Sequence, residues 1–453
     1  MKRWIIITLV LVACSDSSGP ESLPAPTVLG FVTGWNGLDA TAPAATVFPA
    51  GETIRFRVAA VDTVPIRWIG FHIFEPFDII DSVEVTDMRD SVDLAAFTVP
   101  PPSFVGLLRI TGFASNDVGG RSEVELMGNP VSLYESISRP VLSTDLNVDI
   151  RDIALNGTAD HLYLSQPDSN RIAVLSLATM SFQPPIDTPA LPAGLDLTAS
   201  DDSLVVAFPT LRQIGIIDLT NSGQAWDLRD LVFDTTHSRQ PDNLRVSAHN
   251  KVIISITSTE RTGAVGQILD YDLATSSQSL RTDVSYSETG RPGEVTESTL
   301  MERSFDHSRI LLLYDNSCCP LNGQVYVSEN GVFLPRRGTV QQYTPPASAT
   351  VSGSRFLISR TLFDDDLTSP VAYLPPADRH VSALSLRGDT AYFQSGNGVF
   401  RTRLEDGATL ERVIVPEHPL RILPLPGPGE RLLILSASGI IIVDLEGPVQ
   451  EIQ

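Results

Sequence analysis

The chain has 453 residues, and 54 Asp and Glu against 32 Lys and Arg give it a formal charge of −22. That excess argues against a nucleic-acid partner and against electrostatic attachment to an anionic membrane. With three cysteines in all, any domains must rely on apolar cores rather than a disulfide framework.

At the N-terminus, Lys2 and Arg3 precede an apolar run from Trp4 to Val12. The run is too short to cross a bilayer as a helix and matches the apolar region of a signal peptide. It ends in Leu11-Val12-Ala13-Cys14, which resembles a bacterial lipobox. The resemblance implies a signal peptide over residues 1–13 and a lipid anchor on Cys14. It also implies a place in the bacterial cell envelope, with Ser15 rather than Asp pointing to the outer membrane. Several acyl chains would hold the protein firmly, where one binds only marginally. Residues 14–26 are rich in Ser and Pro and predict a flexible tether.

Beyond the tether, helix-period patterns are nearly absent. Short β-branched runs alternate with turn residues, which predicts an all-β chain. Residues 27–135 read as a first domain. Ile54, Phe56, Val58 and Ala60 alternate with Arg55 and Arg57, so one face of that strand is apolar. Further strands fall at Ile66–Phe74, Val92–Val99, Leu107–Ala114 and Glu123–Leu126. About seven strands in roughly 100 residues suit a sandwich. Ala60-Val61-Asp62 and the stretch from Gly112 to Gly120 resemble bacterial immunoglobulin-like domains, which implies a spacer or adhesive module.

Residues 140–453 carry a repeat. An apolar strand is followed by a polar turn, a strongly apolar strand, a loop, and a third strand often closing on Asp-Leu. The strongly apolar strands start at Leu162, Leu204, Val252, Ile310, Phe356, Ala391 and Leu432. Third strands are expected at 172–177, 214–219, 267–273, 324–327, 371–374, 399–404 and 440–445. The period of roughly 45 residues is that of propeller blades, and the expectation is a seven-bladed β-propeller. His161-Leu162-Tyr163-Leu164 and Asn170-Arg171-Ile172-Ala173-Val174-Leu175 resemble YVTN-type and quinoprotein-like propellers. The last repeat lacks a good fourth strand, which Val141 to Leu146 can supply.

Chemical motifs are sparse. There is no phosphate-binding Gly-Lys-Ser/Thr loop, no His-Glu-x-x-His and no Gly-x-Ser-x-Gly. His249 and His307 fall in expected turns and read as solvated polar residues. Asp364-Asp365-Asp366 could hold Ca²⁺ through hard oxygens, but a solvated acidic loop explains it as well. Cys318 and Cys319 are adjacent. Export favours their oxidation, whereas neighbouring Cα atoms about 3.8 Å apart oppose it.

Long loops are expected at 258–266, 316–323 and 363–370, with another at 285–298. Together they would raise a polar wall on one propeller face, lined by Glu288, Arg291, Asp364, Asp365, Asp366 and the cysteine pair. Its expected partner is a glycan or a basic protein segment. These signs favour a non-catalytic binding or scaffold protein. The alternative is a propeller hydrolase or lactonase with a metal in the central channel.

Overall fold

The structure is a computed structural model. It describes residues 25–35, 38–39, 47–50, 53–75, 79–85, 91–93, 97–98, 105–125, 131–146, 149–221, 225–233, 238–258, 266–284, 294–295, 299–316, 319–334, 339–340, 347–358, 361–367, 370–373, 381–427 and 429–448. Cys14, Glu288, Arg291 and Cys318 lie outside these residues, as do the leader and most of the tether. The chain divides into two compact units. One is drawn from 1–43, 52–99 and 108–131, the other from 44–51, 100–107 and 132–453.

The first unit holds antiparallel strands in two groups. Thr27–Trp35 pairs with Thr53–Val61, placing Val28 opposite Ala60. Ile66–Glu75 lies between Ile79–Glu84 and Gly106–Asn116, with Arg121–Glu125 beyond. The expected alternation holds where it can be seen, with Val58 and Ala60 buried together with Ile69, Phe71, Ile73 and Ile110. Asn116 Nδ2 donates to Asp62 Oδ2 at 2.8 Å, and the Gly120 amide donates to Asn116 Oδ1 at 2.7 Å. The Asp62 and Gly112–Gly120 stretches are therefore joined through the Asn116 side chain.

In the second unit the repeat folds as a β-propeller arrangement. Its inner strands are Ile153–Leu155, Leu195–Leu197, Arg239–Val246, Thr299–Arg303, Ala347–Ala349, Ser382–Leu384 and Arg421–Leu425, numbered here as repeats 1 to 7. Each pairs with the strongly apolar strand that follows it, and those strands each begin one residue before the expected start. Their side chains pack against the neighbouring repeat. Leu204, Val206 and Phe208 of repeat 2, for example, meet Tyr163 and Ile172 of repeat 1. A lone blade would leave both faces wet, so only stacking buries them.

The expectation of seven separate blades is corrected to six. Six repeats stand as separate blade sheets, but repeat 6 does not. Its last strand, Thr409–Ile414, pairs in parallel with Val131–Ser138, placing Ile137 opposite Val413, and Val131–Ser138 pairs onward with Val47–Pro49. The physical reason is an open strand edge that the entering chain covers. Ser132 Oγ accepts the Thr409 amide at 2.7 Å, and Tyr134 meets Phe400 edge-to-face at 4.8 Å. From Ser132 onward this strand belongs to the propeller unit, although the sequence places its first half in the first domain.

Repeat 7 has three strands of its own. Val141–Asp145 supplies the fourth, with Val141 opposite Val443 and Thr144 opposite Ile440. The two entering strands are joined at Arg139. It donates to the Gly447 carbonyl at 2.5 Å and to Glu411 Oε2 at 3.0 Å. Its side chain is 8% exposed and that of Glu411 is 12% exposed. Truncating one partner of such a buried pair strands the other charge, at a cost of about 3 kcal/mol. We expect Arg139→Ala to lower the unfolding free energy by about that much in a urea titration; a change near zero would show that Arg139 does not hold the closure.

Candidate functional site

The inner strands of all seven repeats line one cavity of about 730 Å³. Strand register sorts its lining into levels. Ala154, Asp196, Arg245, Glu302, Ser348, Ala383 and Leu423 occupy the same position, opposite Tyr163, Val205, Ile253, Leu311, Leu357, Tyr392 and Leu433. Two residues earlier stand Asp152 in repeat 1 and Arg421 in repeat 7. One half of the channel is therefore charged, while repeats 5 and 6 offer small and apolar side chains.

The charged half is tightly wired. Asp152 Oδ2 accepts the Leu195 amide at 3.1 Å from repeat 2 and Arg245 Nη1 at 2.8 Å from repeat 3. Its Oδ1 accepts the Ile153 amide at 2.9 Å and Arg245 Nη2 at 3.3 Å. Asp196 repeats the arrangement one blade on. It accepts the Val246 amide at 2.8 Å, the Leu197 amide at 2.9 Å, and Arg303 Nε at 2.8 Å to both oxygens. Each Asp thus ties its own repeat to the next and to the one after. Ser348 does the same work without charge, accepting the Leu384 amide at 2.6 Å. Gly194 sits where the strands come closest, since a Cβ there would meet the Asp242 carbonyl and the Asn243 Cα at 2.7 Å.

Arg421 and Glu302 differ from this lattice. Arg421 Nη2 stands 3.7 Å from Glu302 Oε2, and its Nη1 stands 3.6 Å from Asp152 Oδ1. Both distances exceed a hydrogen bond. The pair links repeat 7 to repeat 4. Also in the lining, Arg151 Nη2 meets Asp242 Oδ1 at 2.6 Å, and Leu420 is 57% exposed.

Burial pushes the Glu302 carboxyl above its ordinary value of 4.5, opposed by Arg421, Arg245 and Arg303. Burial would also raise Asp152, but the Arg245 and Arg421 charges overcome it and hold the group below its ordinary value.

The residues singled out from sequence lie elsewhere. Asp364 ends the third strand of repeat 5, Thr361–Asp364, and Asp365 and Asp366 form the turn that follows. The third strand of that repeat was expected at 371–374, but Pro370–Tyr373 is its fourth. This corrects the polar wall. The acidic turn joins strands three and four, whereas the turn after Asn316 joins strands two and three of repeat 4. Successive turns of a meander open on opposite faces. The turn after Asn316 is also short, since strands Arg309–Asn316 and Cys319–Val327 pair as far as Asn316 and Cys319. Cys319 therefore begins a strand rather than lying in a long loop.

The acidic residues face Arg side chains, with Asp364 3.8 Å from Arg355 and Asp365 3.8 Å from Arg309. Among the described residues no three His, Cys, Asp or Glu side chains converge as a metal site. His307 is not solvated as expected: it is 5% exposed, and its Nδ1 lies 2.8 Å from the Val246 carbonyl. The channel charges do have a sequence signature. Each interrupts an apolar inner strand, as in Leu195-Asp196-Leu197 and Leu244-Arg245-Val246.

No family model matches the chain, and no curated protein matches it. Among solved structures, the Dos1 propeller aligns with a TM-score of 0.51 at 12% identity, covering 76% of this chain and 91% of that one. Hydrazine synthase from Kuenenia stuttgartiensis aligns with a TM-score of 0.42 at 14% identity, covering 66% of this chain and 93% of that one. The first likeness supports the propeller fold and nothing finer.

The raised Glu302 value gives a pH test. The folded state holds a proton that the unfolded chain has already released, so stability falls as pH rises from the ordinary Glu range through the folded value. We expect Glu302→Gln to raise the melting temperature at neutral pH, with the gain fading below about pH 4.5. A gain that does not change with pH would contradict the assignment.

Proposed function

We propose that the protein is a non-catalytic binding module of the bacterial cell envelope, held by lipidated Cys14 in the outer membrane. The first domain, of immunoglobulin-like type, serves as its spacer. The propeller repeats are of YVTN-type. The ligand enters at the propeller face where the inner strands begin, on the side of Arg151 and Leu420, which line the cavity and are exposed.

One observation carries the reading. Asp152 is already held by four N–H groups from the protein itself, and Asp196 by three, one of them shared between its two oxygens. A carboxylate with its lone pairs so engaged is neither a free metal ligand nor a general base. What remains is a preformed cavity with an apolar half and few open polar groups, which suits binding. This favours the binding reading over a channel hydrolase with a metal centre.

Two measurements test it. Cys14→Ser should move the protein from the membrane fraction to the soluble one; unchanged membrane association would reject the anchor. Leu423→Trp should fill the apolar half of the channel. Wild-type protein incubated with envelope extract, washed and denatured should release a small molecule, detected by mass spectrometry, that the variant does not retain. Equal retention by both proteins, or chemical conversion of the retained molecule, would overturn the reading.

A further inference from the structure

The channel's charged groups are unequally committed. Arg245 donates to Asp152, to Asn243 Oδ1 at 2.9 Å and to the Leu244 carbonyl at 2.7 Å. Arg303 donates to Asp196 and to the Ser304 and Phe305 carbonyls at 3.2 and 3.3 Å. Arg151 is closed on Asp242. The Arg421 guanidinium makes no hydrogen bond among the described residues, and the side chain is 33% exposed. A guanidinium has five donors in a planar fork that fits a carboxylate. The carboxyl of its partner Glu302 likewise accepts no hydrogen bond among the described residues, and the side chain is 19% exposed.

The open valence in the channel is therefore cationic. Asp152 and Asp196 have no lone pair left for an incoming ammonium group, and Glu302 is a desolvated carboxyl. The same lining includes apolar Leu300, Ala347, Ala349 and Leu384, and Leu423, two residues from Arg421 on its strand. A ligand that satisfies both parts carries one anionic head and an apolar body.

We propose that the channel binds an amphipathic monocarboxylate, its carboxylate bidentate on Arg421 and its apolar body along repeats 5 to 7, with Glu302 taking up a proton as the ligand enters. The inference rests on the channel-binding reading above and names its ligand class. The exchange balances: the ligand's carboxylate replaces that of Glu302 as the counter-ion of Arg421, and one proton moves from solvent to Glu302. Four guanidiniums and four carboxylates line the cavity, so a neutral Glu302 leaves a single positive charge for the ligand to meet. The charged groups facing Glu302 are Arg421 of repeat 7, Arg245 of repeat 3, the adjacent Arg303 and Asp152 of repeat 1. Burial already favours its neutral form. The flat fork alone would also take a phosphate, but the apolar wall selects a head attached to a hydrocarbon body.

Isothermal titration calorimetry of the full chain with octanoate, octylammonium and octan-1-ol tests this. Octanoate should bind one to one and tighten as pH falls, by at most about tenfold per unit for one linked proton, with proton uptake visible across buffers of different ionisation enthalpy. Arg421→Gln should weaken octanoate by roughly ten- to a hundredfold, the loss expected for hydrogen bonds to a charged group. Glu302→Gln should bind octanoate independently of pH and at least as tightly as wild type at neutral pH. This gain guards against a variant that merely misfolds, and thermal melts check the folding of both. The proposal falls if octanoate does not bind, if octylammonium binds as well, or if Arg421→Gln retains octanoate affinity. If wild-type protein still retains a channel ligand from envelope extract while octanoate fails, the binding reading stands and the carboxylate assignment alone is lost.

Discussion

A propeller depends on closure. Each meander has two apolar faces and one neighbour on each side, so the stack is stable only when its last member meets its first. Here the closing bond is a strand pair: Val141–Asp145 completes the sheet of Gly439–Asp444. The N-terminal end of the unit is thereby made part of its C-terminal sheet. The preceding strand, Val131–Ser138, is committed to repeat 6 in the same way. Two consecutive strands thus span two neighbouring repeats. Arg139 lies between them and bonds to both, through Glu411 and the Gly447 carbonyl.

Inside the ring, the same need for closure explains buried charge. Apolar packing between repeats is non-directional and tolerates sliding. Inner strands lack partners on their channel side, where amides would otherwise face a narrow polar space. Asp152 and Asp196 accept such amides from the next repeat, and Arg245 and Arg303 return from the repeat after that. Both oxygens of each carboxylate are matched by N–H donors, the condition under which buried ion pairs are tolerated. The lattice also sets the repeat order, because each Asp recognises a specific residue two repeats away. Repeats 5 and 6 do without charge, through Ser348, and that asymmetry creates the apolar half of the channel.

Much of the propeller was legible because its strands are buried on both faces and read as near-continuous apolar runs. The closing role of Val141 to Leu146 followed from the missing fourth strand of repeat 7. Repeat 5 misled because its third strand, Thr361–Asp364, has only four residues, ends on an aspartate and is followed by two more, so it reads as loop. The edge pairing of Val131–Ser138 was invisible, since alternation shows which face is buried but not which sheet is joined. The site was missed for a different reason. Sequence motifs mark groups that act from loops, whereas Asp152, Glu302 and Arg421 act from inner strands more than a hundred residues apart. Only the ring of repeats brings them into one cavity, although single charges within Leu-Asp-Leu and Leu-Arg-Val were visible from the start.

The account stands on the claim that inter-repeat carboxylate–guanidinium contacts hold the ring rather than decorate it. A double-mutant cycle on Asp196 and Arg303, which contact each other at 2.8 Å, measures this in urea unfolding. Asp196→Asn, Arg303→Gln and the double variant should reveal a coupling energy of about 1 kcal/mol or more, the double variant losing less stability than the two single losses add up to. Strictly additive changes would contradict it and leave the channel charges as passengers on an apolar ring.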